Sequence, residues 1–168
     1  MLRRILIIGW LLGGPVVAAW SAEAVPDLAP LIAQRVESVR GKGLVRVGGV
    51  AIASTVVLPG MYEQRGFRPL WTKAATADDL VAAIGDAERD GLDPADYHLA
   101  AIERLRAAGR DDAQVAADLD LVLTDALVRL AYDSRFGKVD PRQLDPNWNH
   151  ARKLAAADPV ATLLQAID

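Results

Sequence analysis

The chain has 168 residues, a formal net charge of −3, 24% charged side chains and no cysteine. Without a thiol there is no disulfide framework, no Cys-ligated zinc or iron–sulfur site and no cysteine nucleophile. The mildly acidic balance lacks the basic face that offsets phosphate charge, which argues against nucleic acid as a partner, and the length suits one domain.

Residues 1–24 read as a signal peptide. Arg3 and Arg4 give the positive start, Ile5 to Ala19 the apolar centre, and Ala19-Trp20-Ser21-Ala22-Glu23-Ala24 the small residues that suit a peptidase. Cleavage is expected after Ser21, Ala22 or Ala24. The run is shorter than the roughly 20 residues a bilayer needs and carries Gly13-Gly14-Pro15, so no stable membrane anchor is expected. An exported chain without disulfides must be held by its core.

Residues 25–168 are dominated by helical spacing. Leu28, Leu31, Ile32, Val36 and Val39 predict a first helix, stopped by Arg40-Gly41-Lys42-Gly43. Leu44 to Ile52 places two β-prone runs around Gly48-Gly49, the one hairpin signal, and an isolated hairpin must lie against something. A helix is expected from near Ser54 or Thr55 to Gly66, starting later if Pro59 is to stay within its first turn. Phe67 to Trp71 should then be extended, because Pro69 disfavours helix at Arg68. Thr76-Ala77-Asp78-Asp79 reads as the next helix start, with Leu80, Ile84 and Ala87 inward and Gly91 ending the run. Asp93-Pro94 offers a second cap. A helix with Leu99, Ile102 and Leu105 then ends by Gly109.

The longest helix spans about Asp112 to Arg135, roughly 35 Å. Leu119, Leu123, Ala126, Leu127 and Leu130 make its apolar face, and Asp125, Arg129 and Asp133 form an i,i+4 charge ladder on the other side. With Leu121, Val122 and Val128 flanking, little of it is left for solvent, so it is expected at the centre. Asp140-Pro141 and Asp145-Pro146 break the chain before a last helix capped by Asp158, with Pro159 in first position and no stop signal before Asp168. That helix therefore reads as part of a truncated chain.

No reactive constellation emerges. His98 and His150 are far apart in sequence, and neither lies in a Ser-His-Asp pattern or nucleophile elbow. The carboxylate pairs Asp93 and Asp96, Asp118 and Asp120, and Asp125 and Asp133 could in principle hydrolyse a glycoside, yet caps, helix geometry and a shared Arg129 explain them. No acidic loop with its glycine turn suggests a metal site, and no cofactor motif is present. Tyr62, Phe67, Trp71, Tyr97, Tyr132, Phe136 and Trp148 could line a sugar-binding surface, but core packing among alanine-rich helices explains them better. Trp71, Arg135, Phe136 and Trp148, beside the turns between helices, are the candidate interface residues.

Three blocks in order, Leu58-Pro59-Gly60-Met61-Tyr62-Glu63-Gln64-Arg65-Gly66-Phe67-Arg68-Pro69-Leu70-Trp71, then Asp90 to His98, then Leu123 to Pro141, resemble the scaffold domain of large periplasmic murein L,D-transpeptidases over roughly residues 45–150. The resemblance implies a non-catalytic scaffold whose parent enzyme forms 3→3 cross-links in peptidoglycan. Its partners would be the L,D-transpeptidase catalytic domain and a peptidoglycan-binding domain, with peptidoglycan itself as a further contact, and its location the periplasm. The family's catalytic cysteine motif is absent, so no catalytic residue carries over and this chain is expected to be inactive. The alternative is a free-standing cell-wall or partner-binding protein. The fold class expected is mostly α, a helical bundle-like domain with one small β-hairpin after the signal segment.

Overall fold

The computed structural model describes residues 27–41, 44–139 and 158–168. The signal-peptide reading of residues 1–24, the two aspartate-proline breaks, Trp148 and His150 lie outside the described residues. Over the rest the fold is mostly α with one hairpin, as the spacing of apolar residues predicts. In chain order it runs α1 (Ala29–Arg40), β1 (Arg46–Val47), β2 (Val50–Ala51), α2 (Val57–Gln64), α3 (Ala74–Asp86), α4 (Leu99–Ala108), α5 (Ala113–Phe136) and α6 (Pro159–Ile167). Short 3-10 turns at Ala87–Asp90 and Pro94–Tyr97 join α3 to α4.

α5 is the axis. α1, α2, α3, α4 and β1 all lie against it, and α6 rests on α2. Every residue from Ala116 to Ala126 except Asp118 is buried, the pattern of a helix enclosed on all sides. Ile32 and Val36 of α1, Leu58 and Met61 of α2, Ile84 of α3 and Ile102 of α4 join Leu119, Leu121 and Leu123 in one apolar cluster. Asp112 accepts hydrogen bonds from the amides of Gln114 and Val115 at the start of α5, and Asp158 accepts one from Val160 at the start of α6. These carboxylates satisfy amides that have no partner within the helix.

The hairpin pairs Arg46 with Ala51 and Val47 with Val50. Its turn residues Gly48 and Gly49 have φ of 55° and 84°, both left-handed, as a two-residue hairpin turn of this twist requires. Strands this short cannot stand alone. Gly48 is set against Leu105 and Val122, and Arg104 donates to its carbonyl.

Local boundaries depart from the sequence reading where tertiary contacts intervene. α3 starts at Ala74, after Lys73, and Thr76 is not its cap; Ala74 and Ala75 are the strongest helix formers and carry the helix back toward the anchored Trp71. The run does not reach Gly91 as one α-helix, because it tightens to 3-10 at Ala87 before Gly91 turns left-handed at φ 76°. Phe67 is not extended. Its φ is 59°, and its amide donates to the Tyr62 carbonyl at 2.8 Å, closing the end of α2 together with Gly66. From Arg68 to Lys73 the chain is neither helix nor strand, with a bend at Leu70.

A methyl group at Gly48 would meet Leu105 Cδ1 at 2.8 Å and Val122 Cγ2 at 3.2 Å in a left-handed backbone. Gly48→Ala is therefore expected to lose about 1–3 kcal/mol of stability in chemical denaturation. Gly49→Asn, whose nearest neighbour is the flexible Arg104 side chain, should lose clearly less.

Candidate functional site

The polar chemistry of the molecule is strung along the buried side of α5. Asp120 is 4% exposed. Its Oδ1 accepts from the Tyr62 hydroxyl at 2.7 Å and the Leu70 amide at 3.0 Å, and its Oδ2 from the Trp71 amide at 3.1 Å. One turn on, Thr124 Oγ1 accepts from Trp71 Nε1 at 2.9 Å and donates to the Asp120 carbonyl at 2.9 Å, while lying 2.9 Å from the Tyr62 oxygen. Burial raises the Asp120 carboxyl, opposed by the Leu70, Tyr62 and Trp71 hydrogen bonds and the charge of Arg110. Tyr62 is raised well above the ordinary phenol, first by burial and then by the Asp120 charge. The cluster clamps the α2–α3 connection onto α5.

A second cluster holds the other side. Asp125 is fully buried. Its Oδ1 accepts from the amides of Ala53 and Ser54 at 3.1 and 2.8 Å, fixing the exit of the hairpin, and its Oδ2 lies 2.7 Å from His98 Nε2. An ionised carboxylate only accepts, so that nitrogen carries a proton. Arg129 Nη1, 3.4 Å from the same nitrogen and 3.9 Å from Oδ2, is therefore held by the Asp125 charge rather than by a hydrogen bond to the ring. His98 itself stands at φ 62°, the left-handed hinge between the second 3-10 turn and α4. Beside it, the buried Tyr97 donates to Asp133 Oδ2 at 3.0 Å. Burial and that contact raise the Tyr97 hydroxyl.

Every carboxylate pair singled out in the sequence has a structural partner. Asp93 caps Ala95 at 2.9 Å, Asp96 pairs with Lys138, Asp118 with Arg35, and the remaining three are engaged as above. The expected ladder is only partly formed: Asp125 turns to His98 and the hairpin exit, and Asp133 to Tyr97. Among the described residues no group of three or more His, Asp or Glu is arranged to hold a metal ion.

Of the candidate interface residues, Trp71 differs from Arg135 and Phe136 in being buried. Trp71 is 1% exposed with its indole nitrogen bound inside, so it offers no surface and belongs to the core. Arg135 and Phe136 do meet on the last turn of α5, the guanidinium carbon 5.4 Å from the ring centroid, with Tyr132 5.0 Å from Phe136. Trp148 lies outside the described residues. Thr124 is not singled out in the sequence, and Asp120 only as a partner of Asp118; the signal for both is polar residues set inside the apolar run 119–127 of a helix with little solvated face.

The profile of the Scaffold domain family matches residues 57–168, more than half of the chain. No curated protein and no solved structure shows a significant match. The match begins at α2, whereas α1 and the hairpin, which precede it, contribute Ile32, Val36, Val39, Val47 and Ile52 to the same core.

Trp71→Ala should lower stability by about 3–5 kcal/mol in chemical denaturation, the cost of emptying a buried aromatic site. Asp125 gives a pH signature. Burial alone would raise its carboxyl, but hydrogen bonds from His98 and Ser54 outweigh burial and hold it below the ordinary value. Its folded form then binds a proton more weakly than the unfolded chain does, so it adds stability above about pH 3.9 and loses it as pH falls through that value and below. In melts between about pH 6 and pH 3, Asp125→Asn should start less stable and show a shallower acid loss than the parent chain.

Proposed function

The chain belongs to the Scaffold domain family, and on that footing we propose that it is the non-catalytic bracing module of a periplasmic peptidoglycan L,D-transpeptidase. One observation carries the reading. The three sequence blocks that bear the resemblance converge on α5: Tyr62, Leu70 and Trp71 of the first on Asp120 and Thr124, and Tyr97 and His98 of the second on Asp133 and Asp125 of the third. Those bonds spend the ionisable groups on holding helices together. They are the contacts of a rigid support, and none of them presents a nucleophile beside a base in a cleft.

In this reading the chain is exported to the periplasm, and the cysteine that attacks the acyl donor is supplied by the parent's catalytic domain, since this chain has none. A rigid brace contributes by fixing the orientation of its neighbour relative to the wall, and such positioning matters to rate because small misplacements of reacting groups are costly.

Two measurements test the proposal. Purified chain incubated with peptidoglycan stem peptides should give no 3→3 cross-linked product above the blank by mass spectrometry; turnover would overturn the reading. Mixed with a separately purified L,D-transpeptidase catalytic domain of the same parent, it should form a complex detectable by calorimetry. Failure to bind that domain, with retention on intact sacculi, would favour the free-standing wall-binding alternative.

A further inference from the structure

The family match begins at residue 57, yet the residues it covers are completed by the segment that precedes them, 27–56, which carries α1 and the hairpin. Ile32, Val36 and Val39 of α1 are fully buried, and Val47 and Ile52 are 5% and 4% exposed. All five lie in one cluster with Leu58 and Met61 of α2 and Leu121 and Val122 of α5. α1 packs on α2 and α5, β1 packs on α5, and Gly48 sits against Leu105 of α4 and Val122 of α5. Without this segment those aliphatic side chains would face water.

Polar groups of the matched region are completed from the same segment. Asp125 Oδ1 accepts from the amides of Ala53 and Ser54 at 3.1 and 2.8 Å. Asp118 pairs with Arg35, Glu63 with Arg40, and Arg104 donates to the Gly48 carbonyl. With the segment gone, Asp125 would keep His98 but lose both amides, a costly state for a buried carboxylate.

The segment nevertheless satisfies its own main chain. α1 is bonded internally, and the hairpin pairs Arg46 with Ala51 and Val47 with Val50, extended by the Ile52 amide to the Val45 carbonyl at 3.0 Å. Among the described residues, the one main-chain hydrogen bond that crosses into the matched region is Leu58 amide to Ser54 carbonyl at 3.2 Å, at the junction itself. No helix or sheet is shared across the boundary. Apolar packing, ion pairs and side-chain bonds to main chain hold the two parts together, which is how separate polypeptides meet.

We propose that α2, α4 and α5 form a receptor surface for a helix–hairpin polypeptide, that residues 27–56 are its occupant, and that the matched region does not close its core without them. The folding unit thus begins at α1. The segment is a strap, and it can be supplied as a separate chain. The inference stands on these contacts and does not depend on the identity of the parent enzyme.

The test uses the whole chain with a site for a sequence-specific protease inserted between Thr55 and Val56, both exposed. Cut under native conditions, the two pieces should co-elute in size exclusion and keep the far-UV circular dichroism of the uncut chain. They should unfold in one transition whose midpoint rises with protein concentration. In the cut chain Ile32→Ala should raise the dissociation constant of the pieces by about tenfold or more, as the loss of a buried aliphatic side chain. Arg35→Ala should raise it by about threefold, as the loss of a partly exposed ion pair, and Arg89→Glu, outside the strap, should leave it unchanged. Pieces that separate and leave a larger one with its circular dichroism and cooperative melting intact would overturn the proposal. So would a larger piece that unfolds on separation and is not restored by excess synthetic peptide of residues 27–55, or equal effects of Ile32→Ala and Arg89→Glu.

Discussion

An ionised carboxylate inside a protein must be met by donors, because removing it from water is costly unless hydrogen bonds replace the lost hydration. α5 carries two such carboxylates, five residues apart, and the architecture follows from how they are met. Asp120 collects a phenol and two main-chain amides from the α2–α3 connection. Asp125 collects two amides from the hairpin exit and the ring of His98. Each satisfies its need by drawing a segment distant in sequence onto the central helix. Irregular backbone, which would otherwise leave amides unpaired in the interior, is thereby ordered by side chains of a helix already complete in its own hydrogen bonds.

The two carboxylates do not behave alike. At Asp120 burial dominates and raises the carboxyl, whereas at Asp125 the imidazole and the amide bonds prevail and lower it. Their contributions to stability therefore change in opposite senses with pH. Each carboxylate is engaged by donors from a different segment of the chain. A catalytic pair would instead hold its two carboxyl groups across a shared space for substrate.

Further contacts join elements that are distant in sequence. The helices are tied at their connections: Tyr97 to Asp133, Arg35 to Asp118, Arg40 to Glu63 and Lys138 to Asp96 each join separate parts of the chain. The exposed ion pairs among these add little individually, but they lie over an apolar cluster spanning α1 to α6, the hairpin included.

Much of the fold was legible in the sequence because local physics governs it. The spacing of Ile32, Val36 and Val39 gives α1, the paired glycines give the hairpin turn, Asp112 and Asp158 mark helix starts, and the lack of a solvated face in residues 116–126 places α5 at the centre. None of these depends on distant partners. The choice between core and surface for Trp71 and the setting of His98 were decided by tertiary structure, since Trp71 is held by Asp120 and Thr124 and His98 meets Asp125, groups far away along the chain. The charge ladder shows the reason most clearly. Helical spacing places Asp125, Arg129 and Asp133 on one face, but only packing reveals that buried amides and an imidazole, stronger claimants than a neighbouring arginine, reach Asp125 first.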